Sequence, residues 1–330
     1  MNGIINDRMS NPRKLLMVAV LVAPVIGVGF YFTENIAAIT ALSLLFAWFQ
    51  SSPVPLADSI AVEMGSRDGF SFGSVRLWGA LSYSLGAFAT GFLYGKYGYE
   101  NIFLYYLAIS LLVFVLLFWF PKTKPIHHKI TIFEQTKEVF ENKPFMLFLG
   151  ISLVMVMSVS TNFTFLPIYY KEMDFDKGLL GSAFAIAAII EVPMFWVAAK
   201  LSRTIGRFNL LCLSAAIYGT RCLVLFLVHD VYLTLGLQLL DGISFAFAAG
   251  TFVGVVQSYA SEKTKATFQT IFAAVTWGLG GIIGNAAGGV IVDHMGTPFL
   301  YFVLFGLSVT ASALFALMQR FQAQRDVGFW

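Results

Sequence analysis

Three charged side chains stand where charge is costly. Glu191, Arg221 and Asp241 each interrupt one of three long apolar segments between residues 179 and 260. A charge at the centre of a membrane-spanning helix costs about 3 kcal/mol or more, so such residues face the bundle interior and partner one another. Two acids and one base suit proton chemistry. A carboxylate beside a cation stays ionised; separated from it in a dry cavity, it takes up a proton. The same three residues also suit a static ion pair that only fixes helix packing.

The elements that hold them are apolar helices. Of 330 residues, 58% are hydrophobic and 12% charged, with 34 Phe and a mean hydropathy of +0.77. A soluble domain carries about twice that charged fraction, so the chain reads as an all-α integral membrane protein. Ten spans of about 20 residues each are expected: 15–33, 36–57, 73–95, 102–120, 145–168, 179–200, 208–228, 231–259, 267–292 and 298–318. The first apolar run is long enough to span and shows no cleavage motif. Residues 121–144 form the one long connection; 132–140 within it has spaced apolar residues, as expected of an amphipathic helix on the membrane surface. Cys212 and Cys222 share one predicted helix roughly 15 Å apart, too far to pair.

Lys and Arg set the orientation. Seventeen lie on one set of loops and ends and three (Lys96, Lys171, Lys177) on the other, with Arg221 inside. Both termini and the long loop are therefore expected in the cytoplasm, as the even span count also requires. With that orientation Glu191, Arg221 and Asp241 lie roughly 18, 12 and 15 Å from the outer face. An arginine side chain reaches either acid, and Asp241 is nearer.

The chain repeats itself. Asn11-Pro-Arg-Lys-Leu-Leu aligns with Ile205-Gly-Arg-Phe-Asn-Leu at an offset of 194, which also places Trp78 on Phe272 and Gly86 on Gly280. Phe103-Leu-Tyr-Tyr returns as Phe299-Leu-Tyr-Phe. Four spans follow the basic loop in each half, but only the second half has two before it. The pattern is that of a 6+6 repeat lacking its first two helices, a 4+6 arrangement. The expected units are a partial bundle over 1–121, a cytoplasmic linker over 122–144 and a six-helix bundle over 145–330.

Parallel six-helix repeats joined by a long cytoplasmic loop are the plan of major facilitator transporters. Gly3-Ile-Ile-Asn-Asp-Arg-Met-Ser-Asn-Pro-Arg-Lys14 resembles that superfamily's loop motif between helices 2 and 3, and Ala199-Lys-Leu-Ser-Arg-Thr-Ile-Gly-Arg207 is a weaker copy. Pro55-Leu-Ala-Asp58, Ser74-Val-Arg-Leu-Trp-Gly79, Glu191-Val-Pro193, Arg221 and Gln238-Leu-Leu-Asp-Gly242 look like the branch of phenylpropionate permeases and the related lactose permeases. The resemblance implies a proton symporter working by alternating access, with Glu191, Arg221 and Asp241 as the coupling set. Lactose permeases carry a histidine in the region of Asp241, so which acid holds the proton stays open. The resemblance also implies gating by Asp7, Arg8, Asp58 and Arg76: Asp7 near the start of the span at Thr267, where a helix dipole favours an anion, and Arg8 paired with Asp58.

Uncharged polar and aromatic residues at mid-depth need partners in hydrocarbon. Asn162, Gln238, Trp277 and Asn285 in the second half, and Trp48 and Gln50 in the first, are the candidates for a substrate cavity; each also suits an interhelical contact. Sugar-binding relatives of the resembled family use charges in helices where this chain has none (36–57 and 77–95), which favours a less polar or aromatic solute. Gly280, Gly284 and Gly288 make a smooth face for close helix packing. The four histidines lie in loops or at helix ends without metal-ligand spacing, and no catalytic dyad or nucleotide loop is present. The expected partners are a small solute, protons and the lipid of the cell membrane, with no cofactor, no metal, no nucleic acid and a monomeric chain. The other expectation, from a different class, is a non-transporting membrane sensor or an inactive fragment.

Overall fold

The computed structural model describes residues 12–69, 72–120, 132–261 and 264–326, and all regular structure among them is helical. Asp7 and Arg8 lie outside the described residues, as does the loop 121–131. The helices are α1 (Pro12–Gly29), α2 (Ile36–Gln50), α3 (Pro53–Asp68), α4 (Phe72–Tyr97), α5 (Ile102–Leu116), α6 (Ile132–Glu141), α7 (Lys143–Glu172), α8 (Lys177–Ile205), α9 (Arg207–Leu227), α10 (Val231–Gly236), α11 (Gln238–Tyr259), α12 (Lys265–Ala273) and α13 (Gly280–Asp326). A π-helical segment, Ala274–Leu279, joins the last two.

Among the described residues, seven helices are long and apolar enough to cross a membrane. The expected count of ten is not reached by this measure, for three local reasons. The chain breaks after α2, where the Ser51 and Ser52 hydroxyls donate to the Trp48 carbonyl before Pro53. That leaves 15 residues, about 22 Å of helix. The 26 residues of α4 include Arg76, Tyr83 and several Ser and Gly, which lower its hydropathy. The last two expected spans run together as Thr267–Arg320. They are separated by a bend at Gly296 (φ 79°), which a side chain would strain. Glu172 secures that bend by accepting from the Thr297 amide (2.9 Å) and hydroxyl (2.6 Å).

The chain divides into two compact units, Met1–Gly79 with Tyr97–Ile130, and Ala80–Lys96 with Thr131–Trp330. In the first, Leu16, Leu56, Ile60 and Leu117 form a small core. The Tyr106 hydroxyl donates to Gln50, and Arg13 donates to the Phe118 carbonyl at 2.7 Å. Trp48 is 41% exposed. Asp58 and Arg76 fall on α3 and α4, and their side chains lie outside those described.

The second unit holds two larger cores. One gathers Phe145, Phe148, Phe252, Phe268, Phe272 and Phe315. The other gathers Tyr169, Tyr218, Leu225, Leu300 and Tyr301. Helix α6 is part of this unit: Val139 is fully buried in the first core, and Glu138 accepts from the Thr264 hydroxyl (3.0 Å) just before α12. Glycine sets the closest crossings. A Cβ at Gly280 would meet Leu153 at 3.0 Å, one at Gly288 would meet Phe165 at 2.8 Å, and one at Gly284 would overlap Thr161. The glycine stripe of α13 therefore packs on α7, the close-approach role its four-residue spacing suggests. Gly91 and Gly181 meet backbone to backbone where α4 crosses α8, and Gly242 lies on the Ala187 carbonyl where α11 crosses α8.

Overpacking such a contact costs about 1–3 kcal/mol or more. Gly181→Leu is expected to lower the unfolding temperature of the detergent-solubilised protein. Gly86→Ala, where nothing lies within 4 Å of an added Cβ, should leave it unchanged. Equal melting of the two variants would refute the crossing.

Candidate functional site

Arg221 is the largest side chain buried to 0% exposure, and three helices meet on it. It projects from α9. Its Nη1 donates to Asn162 Oδ1 of α7 at 3.2 Å, and its Nη2 donates to Gln238 Oε1 of α11 at 3.1 Å. Its Nε lies 3.5 Å from Asp241 Oδ1, also on α11. That is an ion-pair distance, and neither of those two atoms has a hydrogen-bond partner. The Tyr218 ring, one turn earlier on α9, lies beneath the guanidinium at 5.6 Å, within range of a cation–π contact.

A second layer fixes the first. The Tyr301 hydroxyl donates to Asn162 Oδ1 at 3.1 Å, so that oxygen serves two donors. Gln238 Nε2 donates to the Thr234 carbonyl at 3.0 Å, which orients its oxygen toward Arg221. Tyr218 donates to the Ser158 carbonyl and Tyr169 to that of Leu225. Arg221 carries five N–H donors; neutral amides take two, and a carboxylate faces a third. The cation is held by groups that cannot lose charge, and Asp241 is the partner that can.

Glu191 is half-buried on α8, one turn beyond Ala187, whose carbonyl abuts Gly242. Asp241 precedes that glycine, so the α8–α11 crossing positions both acids. Of the cavity candidates, Asn162 and Gln238 are 1% exposed and turned to Arg221. Trp277 is 41% exposed in the π-helical segment. Asn285 lies half-buried on α13, with its side-chain oxygen buried and unpartnered. Trp48 and Gln50 belong to the other unit.

Sequence reasoning missed Tyr218, Tyr301 and Thr234. The signal for Tyr301 was at hand: a hydroxyl inside an apolar segment needs an acceptor. Tyr218 stands three positions before Arg221, on the same helix face.

Comparison with known proteins bears on what this cluster serves. The model of the MFS_1 like family matches residues 1–303. The transporter YwbF of Bacillus subtilis (strain 168) is 25% identical over 310 residues, covering 92% of this chain and 76% of its own length. The maltose permease of Geobacillus stearothermophilus is 25% identical over 303 residues, covering 91% and 77%. The probable 3-phenylpropionic acid transporter of Escherichia coli (strain K12) is 24% identical over 220 residues, covering 64% and 57%. Among solved structures, the nucleoside transporter NupG superposes with a TM-score of 0.79 at 18% identity, covering 96% of this chain and 85% of that one. A mutant form of NupG gives 0.82 at 16%. At those identities the structural likeness speaks for the fold alone.

Removing one member of a buried ion pair strands the other and costs about 3–5 kcal/mol, whereas replacing both is near neutral. Asp241→Leu and Arg221→Leu should each lower the unfolding temperature in detergent. The double variant should recover most of the loss in a double-mutant cycle. Strictly additive losses would show that the pair is not coupled.

Proposed function

The chain belongs to the MFS_1 like family, and we propose that within it the protein is a proton-coupled symporter of a small organic solute, working by alternating access. It is a multi-pass membrane transport protein and not an enzyme. One observation carries the proton reading: Arg221 hydrogen-bonds to two neutral amides and meets Asp241 only as an ion pair at 3.5 Å. Withdrawing Asp241 leaves the cation still held by Asn162 and Gln238. The released carboxylate, in a dry interior, gains a proton in place of its lost counter-charge. Asp241 is also the less enclosed of the two, 8% exposed against 0%.

In this reading Glu191 is the second acid of the relay, and the crossing at Gly242 ties its helix to that of Asp241. Asp7, Arg8, Asp58 and Arg76 gate the cytoplasmic side. The protein works as a monomer in the cell membrane, with both termini in the cytoplasm. The relatives' names include maltose and 3-phenylpropionic acid. The absence of charge from 36–57 and 77–95 favours the less polar end of that range.

The test is transport in proteoliposomes, after a screen of aromatic acids, sugars and nucleosides has identified the solute. Asp241→Asn and Glu191→Gln should each abolish accumulation driven by a pH gradient while leaving solute exchange across the membrane. Accumulation unchanged in both variants would remove the proton role.

A further inference from the structure

A cavity of about 190 Å³ opens between α7, α11, α12 and the π-helical segment, wholly within the second unit. Four aromatic rings line it: Phe245, Phe252, Phe272 and Trp277. Two of them are fixed. Phe252 and Phe272 are 7% and 5% exposed, lie 5.1 Å apart and belong to the aromatic core, where Phe148 stacks on Phe272. The other two form the rim. Trp277 meets Phe245 edge to face at 6.3 Å and keeps 41% of its surface open. Within the π-helical segment the Thr276 hydroxyl donates back to the Phe272 carbonyl at 2.7 Å. Such segments are frequent at functional sites, and this one carries Trp277.

Two of the polar groups around the cavity are engaged. Ser244 donates to the Ser214 carbonyl at 2.9 Å, and Gln269 Nε2 donates to that of Val253 at 3.0 Å. What the cavity offers an occupant is mainly apolar surface and ring edges. An apolar cavity of about 150 Å³ stays dry and takes up benzene. Rings prefer edge-to-face or offset neighbours at about 4.5–7 Å, a gain beyond the area buried. A fixed aromatic floor with an open tryptophan at the rim presents that geometry to a fifth ring.

We propose that this cavity seats the single aromatic ring of a small ligand. It deepens the transport reading, which makes that ligand the transported solute. Phe245 stands one helical turn after Asp241 on α11, so ring occupancy and the Arg221–Asp241 pair share one helix. A ligand seated against Phe245 thus biases the position of the helix that carries the titrating acid.

The experiment is binding to the purified full chain in detergent, which needs no flux. The probes are 3-phenylpropionate, benzyl alcohol and 2-phenylethylammonium: one ring with an anionic, a neutral and a cationic end. Each is compared with its cyclohexyl counterpart. Ala249→Phe fills the cavity, and Trp277→Leu removes the rim ring; both are accepted for comparison once their unfolding temperature without ligand matches the parent. At least one aromatic probe should raise the unfolding temperature saturably, and more than its cyclohexyl counterpart. Trp277→Leu should weaken it about three- to tenfold, and Ala249→Phe more than tenfold. The proposal is overturned if no aromatic probe binds, if the cyclohexyl compounds bind equally well, or if Ala249→Phe binds like the parent. Ring binding without proton-linked uptake would keep this inference and defeat the transport reading; proton-linked uptake of a solute that Ala249→Phe does not affect would do the reverse.

Discussion

A guanidinium with no access to water dominates the second unit. Its charge has to be answered by protein groups, and three helices supply them. Asn162 and Gln238 give oxygens, Tyr218 gives a ring face, and Asp241 gives the opposite charge. Tyr301 and the Thr234 carbonyl hold the amides in place. Replacing such a pair with apolar side chains is often neutral or stabilising, so stability is a weak reason to keep it. Movement of charge is a better one, and the division of labour fits: neutral groups hold the cation, and the acid stands 3.5 Å away without a hydrogen bond between the paired atoms.

Glycine makes the arrangement reachable. Asp241 is set against α8 because its neighbour Gly242 lets two backbones touch, and the same crossing carries Glu191 one turn on. On the far side, the stripe Gly280, Gly284 and Gly288 brings α13 onto α7, the helix that contributes Asn162. The π-helical segment between α12 and α13 then turns Trp277 to the cavity beside Phe245. Asp241 of the charge pair and Phe245 of the aromatic cavity thus share one helix, α11, one turn apart. A rigid displacement of that helix affects both together, as the proposed solute–proton coupling requires.

Much of this was legible in the sequence. A charge in an apolar run is conspicuous, and depth arithmetic on a 1.5 Å rise brought Arg221 and Asp241 together. The glycine spacing and the amphipathic stretch at 132–140 were equally direct, because each is a periodicity. The helix count was less so. The sequence carries the expected 36–57 span across Ser51-Ser52, where single-residue hydrogen bonds break the helix; the polar stretch 293–298 did mark the interruption at which Gly296 bends the chain. The partners of Arg221 were hidden for a different reason. Asn162 and Gln238 stood out as polar groups in hydrocarbon, which suggests a wet cavity as readily as a buried cation, and only three-dimensional packing distinguishes them. Tyr218 and Tyr301 look like any interface aromatic until their hydroxyls are traced.

The most direct test of the account is the lumenal pH of proteoliposomes carrying the unaltered chain, with no initial pH gradient. It is read with an enclosed dye while aromatic acids, sugars and nucleosides are offered outside in turn. The account predicts that at least one compound entering by its own radiolabel assay acidifies the lumen, beyond any change in protein-free vesicles. A solute that enters through the protein with no such acidification would contradict it.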